Sequence, residues 1–226
     1  MKYQHVRFQS FGYELPPEVI TSGDIEERLV PVYEQLKLPQ GRLEPMSGIK
    51  ERRLWPKGTR PSDGAVLAGE KAISSSGIPP GELDCLIFTS VSRDMMEPAT
   101  ASFVHNQLGL PDRCLVFDIS NACLGFIKGM VTLANMIELG QVKAGIVVGC
   151  ESSKRLVDTT INKLLKAPDV TRNKLKLAFA TLTLGSGAVA AVLTQSSLSQ
   201  DGHKLLGGVT RAASQHNGLC RIEADA

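Results

Sequence analysis

From residue 83 onward the chain repeats one pattern, in which an apolar run is followed by a stretch with helical periodicity. Each apolar run predicts a strand, and each periodic stretch predicts a helix. Apolar strands that alternate with helices form a parallel or mixed sheet covered on both faces, so the predicted fold class is α/β. The predicted strands are 83–90, 113–120, 144–151 and 187–193, and the predicted helices are 98–108, 123–138 and 156–165.

The region before residue 83 predicts a strand and further helices. A strand of alternating polarity begins near Val6 and is expected to be closed by Gly12 and the Pro16–Pro17 pair. Thr21 and Asp24 have the spacing of a capping box, and the helical stripe that follows should be split by Pro31. The remainder comprises a polar stretch without periodicity at 39–61 and a predicted helix at 62–77.

Composition excludes several classes of protein. The 226 residues include 25 Lys and Arg against 23 Asp and Glu, and nucleic-acid binders usually carry a clearer basic excess. No apolar run reaches the roughly 18 to 20 residues of a membrane span, and the N-terminus lacks the apolar core of a signal peptide. The five cysteines form no CxxC pair, which argues against disulfides and zinc. We therefore expect a cytoplasmic protein with reduced thiols and no metal.

One cysteine stands where a predicted strand turns into a predicted helix. At a helix N-terminus the unpaired N–H groups and the helix dipole favour the thiolate, so Cys123 has a physical reason to be a nucleophile. Gly125 would let a substrate or another backbone segment approach closely. Most cysteines at such junctions are packing residues, and we assign Cys85, Cys114 and Cys150 to that class because each lies in an apolar strand. Residue type alone leaves Cys123 undecided.

The segment DISNACLGF at 118–126 resembles the nucleophile motif D-x-x-x-A-C-x-G-F of the thiolase superfamily, in its ketoacyl synthase III-like branch. GIKERRLW, LIFTSVSRD, AGIVVGCESS and LTLGSGAVAAVL follow the family's order. TSVSRDMMEPATAS is similar to enzymes of long-chain olefin biosynthesis within that branch. The resemblance implies a thiolase-like fold, layered αβαβα in the complete enzyme, with a mixed, mostly parallel sheet. It divides the chain into a nucleophile-bearing N-terminal half at 1–195 and, at 196–226, a connecting segment or the start of a second half.

The resemblance also implies a reaction. Cys123 would take an acyl group from a fatty acyl-CoA, and the carbanion of a second acyl-CoA would attack that thioester to give a β-keto product without decarboxylation. Acyl-CoA or acyl-acyl carrier protein would be the partner molecule, no cofactor would be needed, and the enzyme would be a homodimer or heterodimer.

Glu97 matches the family's general base, which acts across the dimer interface. Abstracting a proton from a plain thioester requires such a base. Met95, Met96 and Pro98 predict an apolar setting that would favour the protonated carboxyl group. The alternative is an acid that only complements the dipole of the helix beginning near Pro98.

Three further residues are candidates for substrate binding. Phe126 and Met130 are expected beside apolar acyl channels, although their helical spacing fits core packing equally well. Arg155, with Lys154, could bind the phosphates of coenzyme A electrostatically, although both side chains could equally be ordinary charged residues on a solvent-exposed surface.

The family's active site also uses a histidine and an asparagine from the second half of its fold. None of His5, His105, His203 and His216 stands in that histidine motif. We therefore expect the C-terminal half to be absent, an apolar face to be exposed, and this chain alone to be weakly acylated without turnover.

Three alternatives remain open. An α/β-hydrolase elbow would need glycine where Asn121 stands. A decarboxylating 3-oxoacyl-acyl carrier protein synthase III would share Cys123 and would not need Glu97. A non-catalytic half-subunit of a heteromer would not need a reactive Cys123, and its cysteines should alkylate at equal rates.

Overall fold

A six-stranded mixed sheet forms the centre of the structure, a computed structural model that describes residues 1–198 and 202–218. The strands run in the order β5-β4-β6-β7-β1-β8, and β2 pairs with β3 in a separate two-stranded sheet. The strands are β1 (Val6–Glu14), β2 (Glu18–Thr21), β3 (Glu51–Leu54), β4 (Cys85–Phe88), β5 (Leu115–Asp118), β6 (Ala144–Glu151), β7 (Gly187–Gln195) and β8 (His203–Lys204).

Four strands of the large sheet, β1, β4, β5 and β6, point in one direction, whereas β7 and β8 point in the other. The predicted mixed, mostly parallel sheet is confirmed. Because β5, β4 and β6 are adjacent and parallel, their carboxyl ends meet at one edge, where open α/β sheets place their ligands.

Eight α-helices lie within the described part of the chain. They are α1 (Ser22–Arg28), α2 (Val30–Gln35), α3 (Leu43–Ser47), α4 (Pro61–Ser76), α5 (Thr100–Gln107), α6 (Gly125–Glu138), α7 (Lys154–Lys166) and α8 (Arg172–Leu182). In that same part, no helix combines the length and the apolarity that crossing a bilayer requires.

The sheet is covered on both faces, because its strands send alternate side chains in opposite directions. On one face, Leu86 and Phe88 of β4 belong to the core cluster that contains residues of α4 and α5. On the other face, Cys85 and Ile87 belong to the cluster that contains residues of α6. Helices α1, α2, α7 and α8 form a third cluster beside the sheet.

Some N-terminal predictions were correct, whereas β2, α3 and β3 were not predicted. The capping box of Thr21 and Asp24 is present, and α1 gives way to α2 just before Pro31. Strand β1 continues through Gly12 and ends at Glu14, just before the Pro16–Pro17 pair, so the prolines lie at its end as predicted whereas Gly12 lies inside it. A Cβ at Gly12 would lie 2.2 Å from the carbonyl oxygen of Ala68, so glycine is present because α4 crosses the strand there.

The predicted boundary at residue 195 coincides with the last residue of β7. Beyond it, β8 pairs with β1, and the N–H of Tyr3 donates to the carbonyl of Leu206 at 3.1 Å. The division into 1–195 and 196–226 stays a prediction, and 199–201 and 219–226 lie outside the described residues.

Candidate active site

Cys123 lies in a 3-10 turn, Ala122–Leu124, that joins β5 to α6. The turn follows the carboxyl end of β5, and α6 begins at Gly125, so the predicted position at a helix N-terminus is confirmed. Ala122 has a φ of +45°, in the left-handed region, which costs a non-glycine residue about 1–3 kcal/mol. Such strain persists only where the flanking structure enforces it, and here the flanking elements are β5 and α6.

Glycines bring the start of α6 against the end of β4. A Cβ at Gly125 would lie 2.4 Å from the carbonyl oxygen of Thr89, and one at Gly129 would lie 2.4 Å from Cγ2 of the same threonine. Thr89 is buried and donates its hydroxyl to the carbonyl of Val148 at 3.0 Å. The close approach expected at Gly125 is therefore made by another backbone segment, and it fixes the helix that carries Cys123 at its N-terminal end.

Exposure separates the four described cysteines into two groups. Cys85, Cys114 and Cys150 are buried free thiols, as predicted, whereas Cys123 is exposed. Burial raises the pKa of Cys85 and of Cys150 to about 12 and that of Cys114 to about 11. These three thiols are protonated at neutral pH, which leaves Cys123 as the candidate nucleophile among the described cysteines. Cys220 lies outside the described residues.

Glu97 lies in the loop between β4 and α5, which starts at the same edge of the sheet as the cysteine turn. Its side chain is exposed, and the Glu97–Pro98 peptide bond is cis. Met95 is 42% exposed and Met96 is 93% exposed. The apolar setting predicted around Glu97 is therefore not formed within one copy of the chain, because both methionines face outward.

The substrate-binding candidates have different surroundings. Phe126 and Met130 are half-buried and pack against the core cluster between α6 and the sheet. Arg155 is exposed on the first turn of α7, and neighbouring Lys154 forms an ion pair with Glu18. Leu124 and Ile127, which the sequence predicts in the apolar surroundings of Cys123 together with Phe126 and Met130, are more than half exposed.

A cavity lies at the end of the sheet opposite to the end that carries Cys123. That cavity, of about 640 Å³, is lined by Asp84, Arg113 and Val142 among others, at the amino ends of β4, β5 and β6. In the described part of the chain, no cluster of three or more His, Cys, Asp or Glu could hold a metal ion.

Comparisons with known proteins agree with this geometry. The family model for 3-oxoacyl-[acyl-carrier-protein (ACP)] synthase III matches residues 117–214. The acyl-CoA:acyl-CoA alkyltransferase of Shewanella oneidensis is 47% identical over 224 residues, 98% of this chain and 64% of that protein. The acyl-CoA:acyl-CoA alkyltransferase of Xanthomonas campestris pv. campestris is 40% identical over 225 residues, 100% of this chain and 66% of that protein.

A solved structure shares the fold. The crystal structure of a variant of Xanthomonas campestris OleA with bound lauric acid and lauroyl-CoA superposes with a TM-score of 0.92 at 39% identity, covering 98% of this chain and 65% of that one. The chain thus spans slightly less than two thirds of the length of these relatives.

Proposed function

This chain belongs to the ketoacyl synthase III-like branch of the thiolase superfamily, and we propose that it catalyses the condensation of two fatty acyl-CoA molecules. The observation that carries the proposal is the position of Cys123. It is an exposed thiol at the N-terminal end of α6, beyond the carboxyl end of a parallel strand, whereas the other three described cysteines are buried. Relatives named acyl-CoA:acyl-CoA alkyltransferase support acyl-CoA as the substrate class.

The first step transfers an acyl group to Cys123. The thiolate sulfur attacks the carbonyl carbon of the acyl-CoA thioester, the bond from that carbon to the sulfur of coenzyme A breaks, and the released thiolate takes up a proton. The N–H groups in the first turn of α6 stabilise negative charge near the sulfur. No cofactor enters this chemistry, because coenzyme A arrives as part of the substrate.

The second step forms the carbon–carbon bond. Glu97 removes an α-proton from a second acyl-CoA, and the resulting carbanion attacks the acyl carbon on Cys123. The bond to the Cys123 sulfur then breaks, which restores the thiolate and releases a β-keto thioester without loss of carbon dioxide. The acyl chains of the two substrates would lie along Phe126 and Met130. The guanidinium of Arg155 would bind a phosphate of coenzyme A.

A second subunit would supply Glu97 across an interface. Strand β5 is one of the two edge strands of the large sheet, and an edge strand with unpaired backbone groups is a template for pairing with another chain. Leu115 on this strand is 48% exposed, and the exposed Glu97 loop ends at α5, which packs beside β5. We therefore propose a dimer, with identical or related subunits, built along β5 in a cytoplasmic enzyme of lipid metabolism.

Mass spectrometry of the intact protein tests the first step. After incubation with lauroyl-CoA, the protein should gain one dodecanoyl group, and Cys123→Ala should remove that gain. Cys114→Ala is the matched control, because Cys114 is a buried thiol whose loss leaves Cys123 in place. Acylation of the Cys123→Ala variant at the parent rate would refute the nucleophile assignment.

Product analysis tests the second step, with the second half of the family's fold supplied in the assay, because none of the four histidines stands in the family's histidine motif. Glu97→Gln should acylate at the parent rate and form no β-keto product, while Glu70→Gln, at an exposed position on α4, should do both. Undiminished condensation by Glu97→Gln would remove Glu97 from the mechanism.

One alternative activity has a specific observation in its favour. The family model that matches 117–214 describes 3-oxoacyl-acyl carrier protein synthase III, an enzyme that would obtain its carbanion by decarboxylation. Product formed from malonyl-acyl carrier protein, and not from acyl-CoA alone, would favour that alternative.

A further inference from the structure

The loop that carries Glu97 is fixed at its beginning by the carboxylate of Glu151, the last residue of β6. Oε1 accepts a hydrogen bond from the N–H of Val91 at 3.0 Å, and Oε2 accepts from the N–H of Ser92 at 3.2 Å and from its hydroxyl at 2.8 Å. The Ser92 hydroxyl oxygen in turn accepts from the N–H of Ser152 at 3.0 Å. Both oxygens of one carboxylate therefore hold Val91 and Ser92, the third and fourth residues of the loop, against the end of β6.

A second carboxylate fixes the end of the loop. Asp118, the last residue of β5, accepts hydrogen bonds from the N–H of Thr100 at 3.0 Å and of Ala101 at 2.9 Å. These are the first two N–H groups of α5, which have no partner within the helix, and a negative charge at this end complements the dipole. The loop thus ends on the strand that leads directly into the Cys123 turn.

The middle of the loop is fixed by its own aspartate. Oδ1 of Asp94 accepts from the N–H of Ser62 in the first turn of α4 at 2.9 Å, and the N–H of Asp94 donates to the hydroxyl of Thr100 at 3.2 Å. Beyond Asp94 only a short tip, 95–98, is exposed, and it contains Glu97. The exposed tip is therefore carried by a loop that three carboxylates anchor, those of Glu151, Asp94 and Asp118.

We propose that Glu151 and Asp118 are positioning residues that set the place of Glu97 by holding the two ends of its loop. This inference rests on the proposed function, in which Glu97 removes the α-proton. Proton abstraction needs the base within hydrogen-bond reach of the carbon acid, and a displacement of about 1 Å can lower a rate about 100-fold. Because the two anchors are the last residues of β5 and β6, they tie the Glu97 loop to the carboxyl ends of these strands, from which Glu97 would reach the site of the partner subunit.

The test separates the two half-reactions in the Glu151→Gln and Asp118→Asn variants of the purified protein, with the second half of the family's fold supplied as in the product analysis above. In each variant an amide nitrogen, which donates hydrogen bonds, replaces one acceptor oxygen. At least one backbone N–H group of the chain then loses its acceptor and lies opposite another N–H donor. With lauroyl-CoA, we expect acylation of Cys123 within about threefold of the parent and formation of β-keto product about 100-fold lower. Hydrogen exchange of the amides of Val91 and Ser92 should be about tenfold faster in Glu151→Gln.

The control variant is Glu138→Gln. Glu138 also holds two successive backbone N–H groups, those of Gln4 and His5, each at 2.9 Å, at the far end of α6. Glu138→Gln weakens the same kind of hydrogen-bonded anchor at a place distant from the Glu97 loop. The rates of both half-reactions should therefore stay within about twofold of the parent. If Glu151→Gln does not fold, Ser92→Ala weakens the same anchor by removing one hydroxyl.

Each result has a definite meaning. Condensation at the parent rate in both anchor variants, or unchanged exchange at Val91 and Ser92, would overturn the positioning role. Acylation reduced as strongly as condensation would also overturn it, because the anchors would then act through Cys123. Condensation by Glu97→Gln at the parent rate would instead show that the proposed function has failed, whatever the anchors do.

Discussion

Gly125→Ala should displace the turn that carries Cys123, because the added methyl group has no space. Its Cβ would lie 2.4 Å from the carbonyl oxygen of Thr89, whereas an ordinary carbon–oxygen contact begins at about 3.3 Å, so α6 must move by roughly 1 Å. Overpacking of this kind costs about 1–3 kcal/mol. Gly125 is the first residue of α6, where alanine gains little of the helix propensity that it has in a helix interior, so the expected loss of stability is about 1–3 kcal/mol.

Two assays measure the effect. The urea midpoint of unfolding should fall by about 0.5–1 M, and acylation of Cys123 by lauroyl-CoA should slow about 100-fold. Gly81→Ala is the control, because a Cβ at Gly81 meets no atom within 4 Å. A Gly125→Ala protein with the parent's midpoint and acylation rate would refute the argument that this contact sets the position of the cysteine turn.

Three further predictions concern other parts of the molecule. Iodoacetamide at neutral pH should modify Cys123 and leave Cys150 unmodified in peptide maps, because burial raises the pKa of Cys150 to about 12; equal rates would favour a packing role for both. Burial alone would raise the pKa of Glu26, but hydrogen bonds from the backbone N–H groups of 41–43 and from the hydroxyl of Tyr33 outweigh it and lower the pKa. The ionised carboxylate should therefore stabilise the fold fully above the unfolded-state pKa, and this stabilisation should be lost as pH falls through the folded-state pKa. In acid titrations of stability, Glu26→Gln should lack that loss and should be less stable at pH 7 by about 2–4 kcal/mol. Leu115→Lys, on the edge strand, should lower the dimer fraction in sedimentation, whereas Leu177→Lys, on exposed α8, should not.

The central strands could be predicted from the sequence because their environment is uniform. Strand β6 occupies the predicted 144–151, since all but one of its residues are buried between helices on both faces. Strand β3 was not predicted, because its ERRL sequence becomes a strand only by pairing with β2. Arg52 within it is buried, with its guanidinium donating to the hydroxyl of Ser22, and no local pattern indicates such a tertiary contact.

Helix α8 was also missed, and here a local signal existed. Its buried residues, Leu175 and Leu182, are too few to form a clear apolar stripe. However, the hydroxyl of Thr171 accepts from the N–H of Lys174, an N-cap that the residue types at those positions allow. Propensity and capping together would have indicated this helix, whereas hydrophobic periodicity alone did not.

The candidate site was only partly accessible from the sequence. The motif around Cys123 predicted the turn and the exposed thiol, because strand, turn and helix are consecutive in the chain. The anchors of the Glu97 loop were not predicted, since Glu151 comes from a strand that is distant in sequence from the loop it holds. Hydrogen bonds between segments so far apart become visible only once the strand order is known.

The two reacting groups are held in different ways, and the proposed chemistry accounts for the difference. Cys123 is fixed within its own chain, by the strained Ala122 and by the contact of Gly125 with Thr89, so its position does not depend on another subunit. Glu97 instead lies on the exposed tip of a loop whose remaining residues are anchored, and within its own chain it has no apolar surroundings. The side chain of Glu97 would lose its contact with water only when a second protein surface covers the tip. Such burial would disfavour the charged carboxylate relative to the protonated carboxyl group. Dimerisation would then assemble the site and activate the base in the same event, while acylation of Cys123 could proceed before it.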